Sequence, residues 1–123
     1  MRALLAGAAL SIAAAGTAGA VEPSMSYYYS MLQGASVQDC LQRSREAFTA
    51  NRFTLAEATA NSQFATSGDY LALASCAPAQ PTVFFLSIAG PRFAEADAMA
   101  QRIRAAVTGQ AAPPPAAPPA GTK

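Results

Sequence analysis

The sequence predicts a small α+β domain of two layers, with two helices packed on one face of a mainly antiparallel sheet. Two stretches repeat apolar residues at helical spacing, one early and one late in the chain. The other apolar stretches are short, alternating or continuous, and are bounded by Gly, Pro and Ser as strands usually are. The predicted order of elements is β-α-β-β-β-α, in a single domain over residues 21–109.

Residues 1–20 have the features of a secretory signal peptide. Arg2 supplies the positive start, residues 3–15 are almost wholly apolar, and Ala18-Gly19-Ala20 matches the small-x-small cleavage pattern. A retained membrane-spanning helix is disfavoured because the run is short for about 30 Å of hydrocarbon and consists largely of Ala and Gly. We therefore expect a periplasmic or secreted mature chain that begins at Val21 and does not insert into the membrane.

The mature chain is expected to carry no net charge. The full sequence has 8 Lys and Arg against 7 Asp and Glu, and removal of Arg2 with the leader makes the two signs equal. A neutral surface gives no electrostatic reason to expect nucleic acid or anionic lipid as a partner. The abundance of Ala and Arg and the near absence of Lys are typical of a GC-rich bacterial genome.

Residues 25–31 alternate in character and predict a half-buried first strand. Every second residue shares one face of this strand: Met25, Tyr27, Tyr29 and Met31. The tyrosines could form a stacking platform for sugar or peptide. Aromatic residues are also good strand formers, however, and the core interpretation is favoured.

The first helix is predicted to follow Ser36, whose hydroxyl caps the first turn, with Asp39 completing a capping box. Asn51 is predicted as a left-handed stop, after which Phe53 folds back onto the last turn. The expected apolar stripe is Val37, Cys40, Leu41, Ser44, Ala47 and Phe48.

Three further strands and a second helix are predicted after a segment, residues 53–62, that has no firm period and is expected to be extended or irregular. Residues 63–66 and 70–76 form a hairpin, and residues 82–89 form a central strand buried on both faces. The second helix covers residues 94–107. Its expected apolar stripe is Ala96, Met99, Ala100, Ile103, Ala106 and Val107. The Pro/Ala-rich tail, residues 110–123, is predicted to be disordered, with a spacer or a ligand for an aromatic groove as the alternative.

The two cysteines, Cys40 and Cys76, are expected to form a structural disulfide, since paired cysteines are usual in small secreted domains. A redox-active pair is the alternative, but it usually requires adjacent cysteines. The sequence has no His, which removes histidine-dependent triads and ordinary zinc sites, so no metal and no cofactor are predicted. Among the carboxylates only Glu57 lacks a predicted structural role, and it is the one residue that could support a hydrolase.

Three segments carry a resemblance to known proteins: DCLQRSREAF around Cys40, GDYLALASC ending at Cys76, and VFFLSIAGPRFAEADAMAQRIRAAV. Together they resemble a loose group of small secreted proteobacterial proteins of uncharacterised function, over about residues 25–107. The resemblance implies the Cys40–Cys76 bridge and the two-layer fold, and it implies no catalytic residue. Ala74 departs from the pattern, because such proteins prefer a larger aliphatic residue there.

These observations favour a non-enzymatic binding or interaction module. Two helices can cover only one face of the sheet, yet both faces of the later strands are apolar, so the second face is expected to meet a loop, a second protomer or a different partner. The residues proposed for this interface are Leu71, Leu73, Phe84, Leu86 and Ile88. An inhibitor of a secreted enzyme that presents the turn at residues 67–69 is one alternative, and a small carboxylate-dependent hydrolase is the other.

Overall fold

The computed structural model describes residues 24–110. The predicted signal peptide and all of the predicted tail except Gln110 lie outside the described residues. The described elements follow in the order β1 (Ser24–Leu32), α1 (Val37–Ala50), β2 (Thr54–Ala58), β3 (Ser62–Ser67), β4 (Tyr70–Ala77), β5 (Thr82–Gly90) and α2 (Phe93–Thr108). The predicted α+β class is confirmed.

The five strands form one antiparallel sheet in the order β1-β5-β4-β3-β2. The first strand therefore pairs with the last, and β1 and β2 are the two edges. The connection between them, which contains α1, crosses the sheet from one edge to the other. The segment predicted to be extended or irregular, residues 53–62, contains β2, a strand that the predicted order of elements lacks. All five residues of β2 are exposed, and for this reason no alternation of apolar and polar residues marks the strand in the sequence.

Both helices pack on the same face of the sheet, which we call the inner face. The capping box that begins α1 is confirmed, since Ser36 Oγ accepts the Asp39 N–H and Asp39 accepts the Ser36 N–H. The predicted stripe of α1 is buried, with Val37 only half-buried. The left-handed residue after α1 is Arg52, with φ 64°, one position later than predicted. Phe53 does fold back, and its ring lies 5.5 Å from that of Phe48.

The core lies between the helices and the inner face. β5 supplies its centre with Phe84, Leu86 and Ile88, each fully buried. Ala72 and Ala74 of β4 are also fully buried, and their small side chains leave room for the helices. From α2 the buried residues are Ala96, Ala100, Ile103 and Val107, whereas the predicted core residue Ala106 is exposed. The stripe of α2 is thus narrower than predicted.

Candidate interaction surface

On the side of the sheet away from the helices, the side chains of β1, β5, β4 and β3 that alternate with the buried ones form a surface that we call the open face. The exposed edge strand β2, which contains Glu57, is not counted in it. On β1 the side chains of the open face are Met25, Tyr27, Tyr29 and Met31; on β5, Val83, Phe85, Ser87 and Ala89; on β4, Leu71, Leu73, Ser75 and Ala77; on β3, Ser62, Phe64 and Thr66. None of these residues is Asp, Glu, Lys or Arg. The open face is therefore an uncharged surface of mainly apolar and aromatic side chains.

An edge strand of a soluble protein usually turns its apolar side chains toward the core and its polar side chains toward solvent, but β1 does the reverse. Its Tyr27 and Tyr29 are 62% and 66% exposed, and Met25 and Met31 are 55% and 62% exposed. By contrast, Ser26 faces α2 and is buried. The predicted core role of Tyr27 and Tyr29 is therefore wrong. Alternation shows which residues share a face, but it does not show which face is covered.

Three inner residues of β1, Ser26, Tyr28 and Ser30, make polar contacts with α2, whereas Leu32 at the end of the strand packs in the hydrophobic core. Asp97 of α2 accepts hydrogen bonds from Ser26 Oγ at 2.7 Å and from Tyr28 Oη at 2.6 Å. Gln101 Nε2 donates to the second Asp97 oxygen at 2.7 Å. One helical turn further on, Arg104 Nε donates to Ser30 Oγ at 3.1 Å, and its guanidinium carbon lies 5.1 Å from the centre of the Tyr28 ring. These contacts fix β1 so that its apolar side points outward.

The register of the strands determines which parts of the open face are raised and which are recessed. Ala89 of β5 pairs with Met25 on one side and Leu71 on the other. In the next row Ser87 pairs with Tyr27 and Leu73. These two rows form a trough with a floor of small residues and walls of large ones. Since adjacent strands lie about 4.8 Å apart, the walls are about 10 Å apart at the backbone.

An aromatic ridge borders this trough. The rings of Tyr27 and Phe85 stack with their centres 6.3 Å apart and an interplanar angle of 24°. Tyr29 is paired directly with Phe85 across the β1–β5 ladder, so the three aromatic residues are neighbours. Phe85 remains 38% exposed although it lies on the central strand of this group. The ridge therefore presents rings to solvent.

Only part of the predicted interface lies on the open face. Leu71 is 50% exposed there, and Leu73 is half-buried beside it. Phe84, Leu86 and Ile88 are fully buried beneath the helices, so their assignment to the interface is wrong. Because nearly every residue of β5 is apolar, the sequence does not show which alternate set of its side chains faces the core. The open-face residues that sequence reasoning missed as interface residues are Met25, Tyr27, Tyr29, Met31, Val83 and Phe85.

The carboxylates of the domain are largely engaged in structural contacts. The hydrogen bond from Tyr28, opposed in part by burial, holds the pKa of Asp97 below its ordinary value. Glu95 accepts a hydrogen bond from Tyr70 Oη at 2.7 Å, which lowers its pKa, and it forms an ion pair with Arg92. The Ser36 backbone N–H likewise lowers the pKa of Asp39. Glu57 is exposed on the edge strand β2.

The disulfide between Cys40 and Cys76 is confirmed, with an S–S distance of 2.01 Å and Cα atoms 6.1 Å apart. Both residues are almost completely buried, and the bond joins α1 to the end of β4. No free cysteine occurs in residues 24–110. The bridge therefore links the helical layer to the sheet from the inner side and leaves the open face untouched.

The described part of the chain contains neither a metal site nor a membrane-spanning helix. Within residues 24–110 no group of three or more His, Cys, Asp or Glu residues is arranged to hold a metal ion. No helix in this range is both long and apolar enough to cross a membrane. Comparisons with protein-family models, with curated proteins and with solved structures found no match to this chain.

Proposed function

We propose that this domain is a protein-binding module that works in an oxidising compartment, the periplasm or the extracellular space, and that it binds through its open face. The observation that carries the proposal is the orientation of β1. A strand that turns Ser26 toward the core and exposes Tyr27 and Tyr29 by more than 60% gains little stability from those rings. Exposed aromatic residues grouped in this way are typical of the centre of a binding interface.

The composition of the open face supports binding to protein rather than to a charged polymer. Aromatic residues and Met are enriched at protein interfaces, and charged residues are depleted at their centres. The open face has both properties, whereas Arg and Lys, which neutralise the phosphate charges of nucleic acids, are missing from it. Monomeric proteins rarely leave an apolar patch of more than a few hundred Å² exposed without a function for it.

The Cys40–Cys76 disulfide supports the proposed compartment. Disulfides of this structural kind persist in the periplasm and outside the cell and are rare in the reducing cytosol. The sequence features of residues 1–20 agree with export. Membership in the group of small secreted proteobacterial proteins that the sequence resembles is part of the same proposal.

The inhibitor hypothesis is supported less well by the geometry. Its candidate loop, residues 67–69, is a tight hairpin turn in which only Gly68 and Asp69 lie between the paired strands. A two-residue turn projects little beyond the sheet and offers few side chains to an active-site cleft. The open face is larger and chemically more distinct, so we place the binding function there.

Capture of envelope proteins by the oxidised mature domain tests the proposal. The wild-type domain is immobilised beside a face variant, Tyr29→Lys with Leu71→Lys, and a matched control, Thr49→Lys with Ala106→Lys, whose positions are exposed on the helices. We expect the wild type and the control to retain the same protein, this chain included, and the face variant to lose it. Equal capture by all three proteins would refute the proposal. A fourth protein, Asp69→Ala, changes the turn instead of the face, and loss of capture in this variant alone would favour the inhibitor hypothesis.

A further inference from the structure

The size of the open face matches what a dimer needs. Six of its large apolar residues are 38–66% exposed: Met25, Tyr27, Tyr29, Met31, Leu71 and Phe85. If each of these side chains offers about 150–250 Å², as aromatic residues do, the exposed parts amount to roughly 500–800 Å². A standard stable interface buries about 800 Å² on each partner. With the half-buried Val83, Leu73 and Phe64 included, one open face supplies about one side of such an interface.

The charge pattern is compatible with self-association. In a two-fold dimer the same surface patch of each copy meets that of the other, so a net charge on the patch is brought close to a net charge of the same sign. The open face has no Asp, Glu, Lys or Arg that would oppose this approach. The absence of charge also means that no electrostatic feature of the face selects a different, oppositely charged partner.

The relief of the open face is self-complementary. It contains both a ridge, formed by Tyr27, Tyr29 and Phe85, and a trough with Ser87 and Ala89 as its floor. The walls of the trough, about 10 Å apart, leave space for a single row of side chains. Ridge and trough lie side by side on one surface, which is the arrangement that lets two identical surfaces interdigitate.

We infer that the partner of the open face is a second copy of this chain, packed sheet against sheet about a two-fold axis. The inference deepens the proposed function and rests on it. Sheets that pack face to face lie about 10 Å apart with their strands within about 30° of parallel, and interdigitated side chains fill the space between them. The tyrosine ridge of each copy lies in the Ser87–Ala89 trough of the other, where the Ser87 hydroxyl can pair with a tyrosine hydroxyl.

Methionine oxidation of the full mature chain, with its disulfide intact, tests the inference without a substitution. Met25 and Met31 lie on the open face, while Met99 lies on α2 in partial contact with the core and is the internal control. Samples with protein concentrations from low micromolar to near-millimolar are treated briefly with hydrogen peroxide. The oxidised fraction of each methionine is then measured by mass spectrometry. Sedimentation equilibrium gives the dimer fraction of the same samples.

We expect the oxidation of Met25 and Met31 to decrease as the dimer fraction increases, while the oxidation of Met99 does not change with protein concentration. Tyr29→Lys should raise the dissociation constant of the dimer by at least roughly 30-fold, as loss of an interface hot spot does. Ala106→Lys, exposed on α2, should leave the dimer unchanged.

Three results would overturn the inference, and they are distinguishable. A monomer in which Met25 and Met31 oxidise freely at every concentration means that the face has another partner, and the proposed function then stands if face-dependent capture is seen. A monomer in which both are protected at every concentration means that part of the same chain, such as residues 111–123, covers the face. A dimer without protection means that the interface lies elsewhere, for example at the free edge of β1.

Discussion

The hydroxyl of Tyr28 lies 2.6 Å from Asp97 Oδ1 and donates a hydrogen bond to it, which ties the edge strand β1 to the helix α2. This contact connects residues 69 positions apart in the sequence. Ser26 and Gln101 bind the same carboxylate, so a charged group with three donors stands where an apolar contact would be usual. The polar inner side of β1 is therefore satisfied, and the strand can present its apolar side to solvent or to a partner.

Substitution of Tyr28 by Phe should destabilise the domain by about 1–2 kcal/mol. This lies toward the low end for hydrogen bonds to charged groups, because the contact is only partly buried and Asp97 keeps two of its donors. The free energy of unfolding is measured by urea denaturation of the oxidised domain. Tyr29→Phe is the matched control, since Tyr29 is the neighbouring tyrosine, 66% exposed on the other face. Equal losses in the two variants would contradict the structural role given to the Tyr28 hydroxyl.

The same contact predicts a specific pH dependence. The pKa of Asp97 is lowered chiefly by the Tyr28 hydrogen bond, so the stabilisation is present above the unfolded pKa of about 3.9 and is lost as the pH falls through the folded value. The Asp97 carboxylate also raises the pKa of Tyr28, so stabilisation is lost again as the pH rises above about 10.

The difference in unfolding free energy between the wild type and Tyr28→Phe isolates this effect. Asp39 and Glu95, whose pKa values are also lowered, contribute to acid destabilisation in both proteins and cancel in the difference. We expect the difference to be constant near neutral pH and to shrink at both extremes. A difference that does not change between neutral and acid pH would show that Asp97 is not the partner that matters.

Gln63 is a second buried polar anchor, and it holds the opposite edge of the sheet. It is 3% exposed, and its Nε2 donates to the carbonyl oxygens of Ala56 and Phe64 at 3.1 and 2.8 Å. Its Oε1 accepts from Arg45 Nε of α1 at 3.0 Å. The β2–β3 register shifts between Leu55 and Ala58, and the Gln63 amide supplies the Ala56 carbonyl in that interval with a donor.

Gln63→Leu should therefore loosen β2 more than the rest of the sheet. We expect a loss of about 2 kcal/mol in unfolding free energy, as for buried polar groups left without a partner, and faster hydrogen exchange of the β2 amides. Gln42→Leu is the control, since Gln42 is exposed on α1 and bonds only across one helical turn to Glu46. Uniform acceleration of exchange across all five strands would argue against a local anchoring role.

Elements whose signals are local could be predicted from the sequence. The capping box of α1 depends on Ser36 and Asp39, three residues apart, and was found correctly. The orientation of β1 could not be predicted, because it is decided by Asp97 some seventy residues away. β2 was missed for a similar reason, since its irregular pairing relies on a glutamine of the next strand. Of the five residues predicted for the interface, Leu71 and Leu73 lie on the open face, whereas Phe84, Leu86 and Ile88 are buried under the helices.

Gly90 at the end of β5 is required by the ring of Tyr70. A Cβ at position 90 would lie 2.1–2.8 Å from Tyr70 Cδ1, Cε1 and Cγ, well inside contact distance. The ring cannot easily withdraw, because its hydroxyl is bonded to Glu95. Gly90→Ala should therefore destabilise the domain by about 1–3 kcal/mol, as overpacking usually does.

A double-mutant cycle with Tyr70→Ala checks this cause. Loss of the ring alone should cost about 3 kcal/mol, but it removes the clash, so Gly90→Ala should add little in the double variant. Additive losses would mean that the cost of Gly90→Ala comes from the backbone and not from the ring.

Replacement of both Cys40 and Cys76 by Ala should cost about 4 kcal/mol, because the bridge closes a loop across a sequence separation of 36 and restricts the unfolded chain accordingly. Small domains have only about 5–15 kcal/mol in total, so the reduced protein should be marginally folded. Urea denaturation with and without reductant measures the effect, and the double Ala variant, which reductant should not affect, is the control. If the wild type lost no stability on reduction, the fold would not depend on an oxidising compartment, and the disulfide would no longer support export.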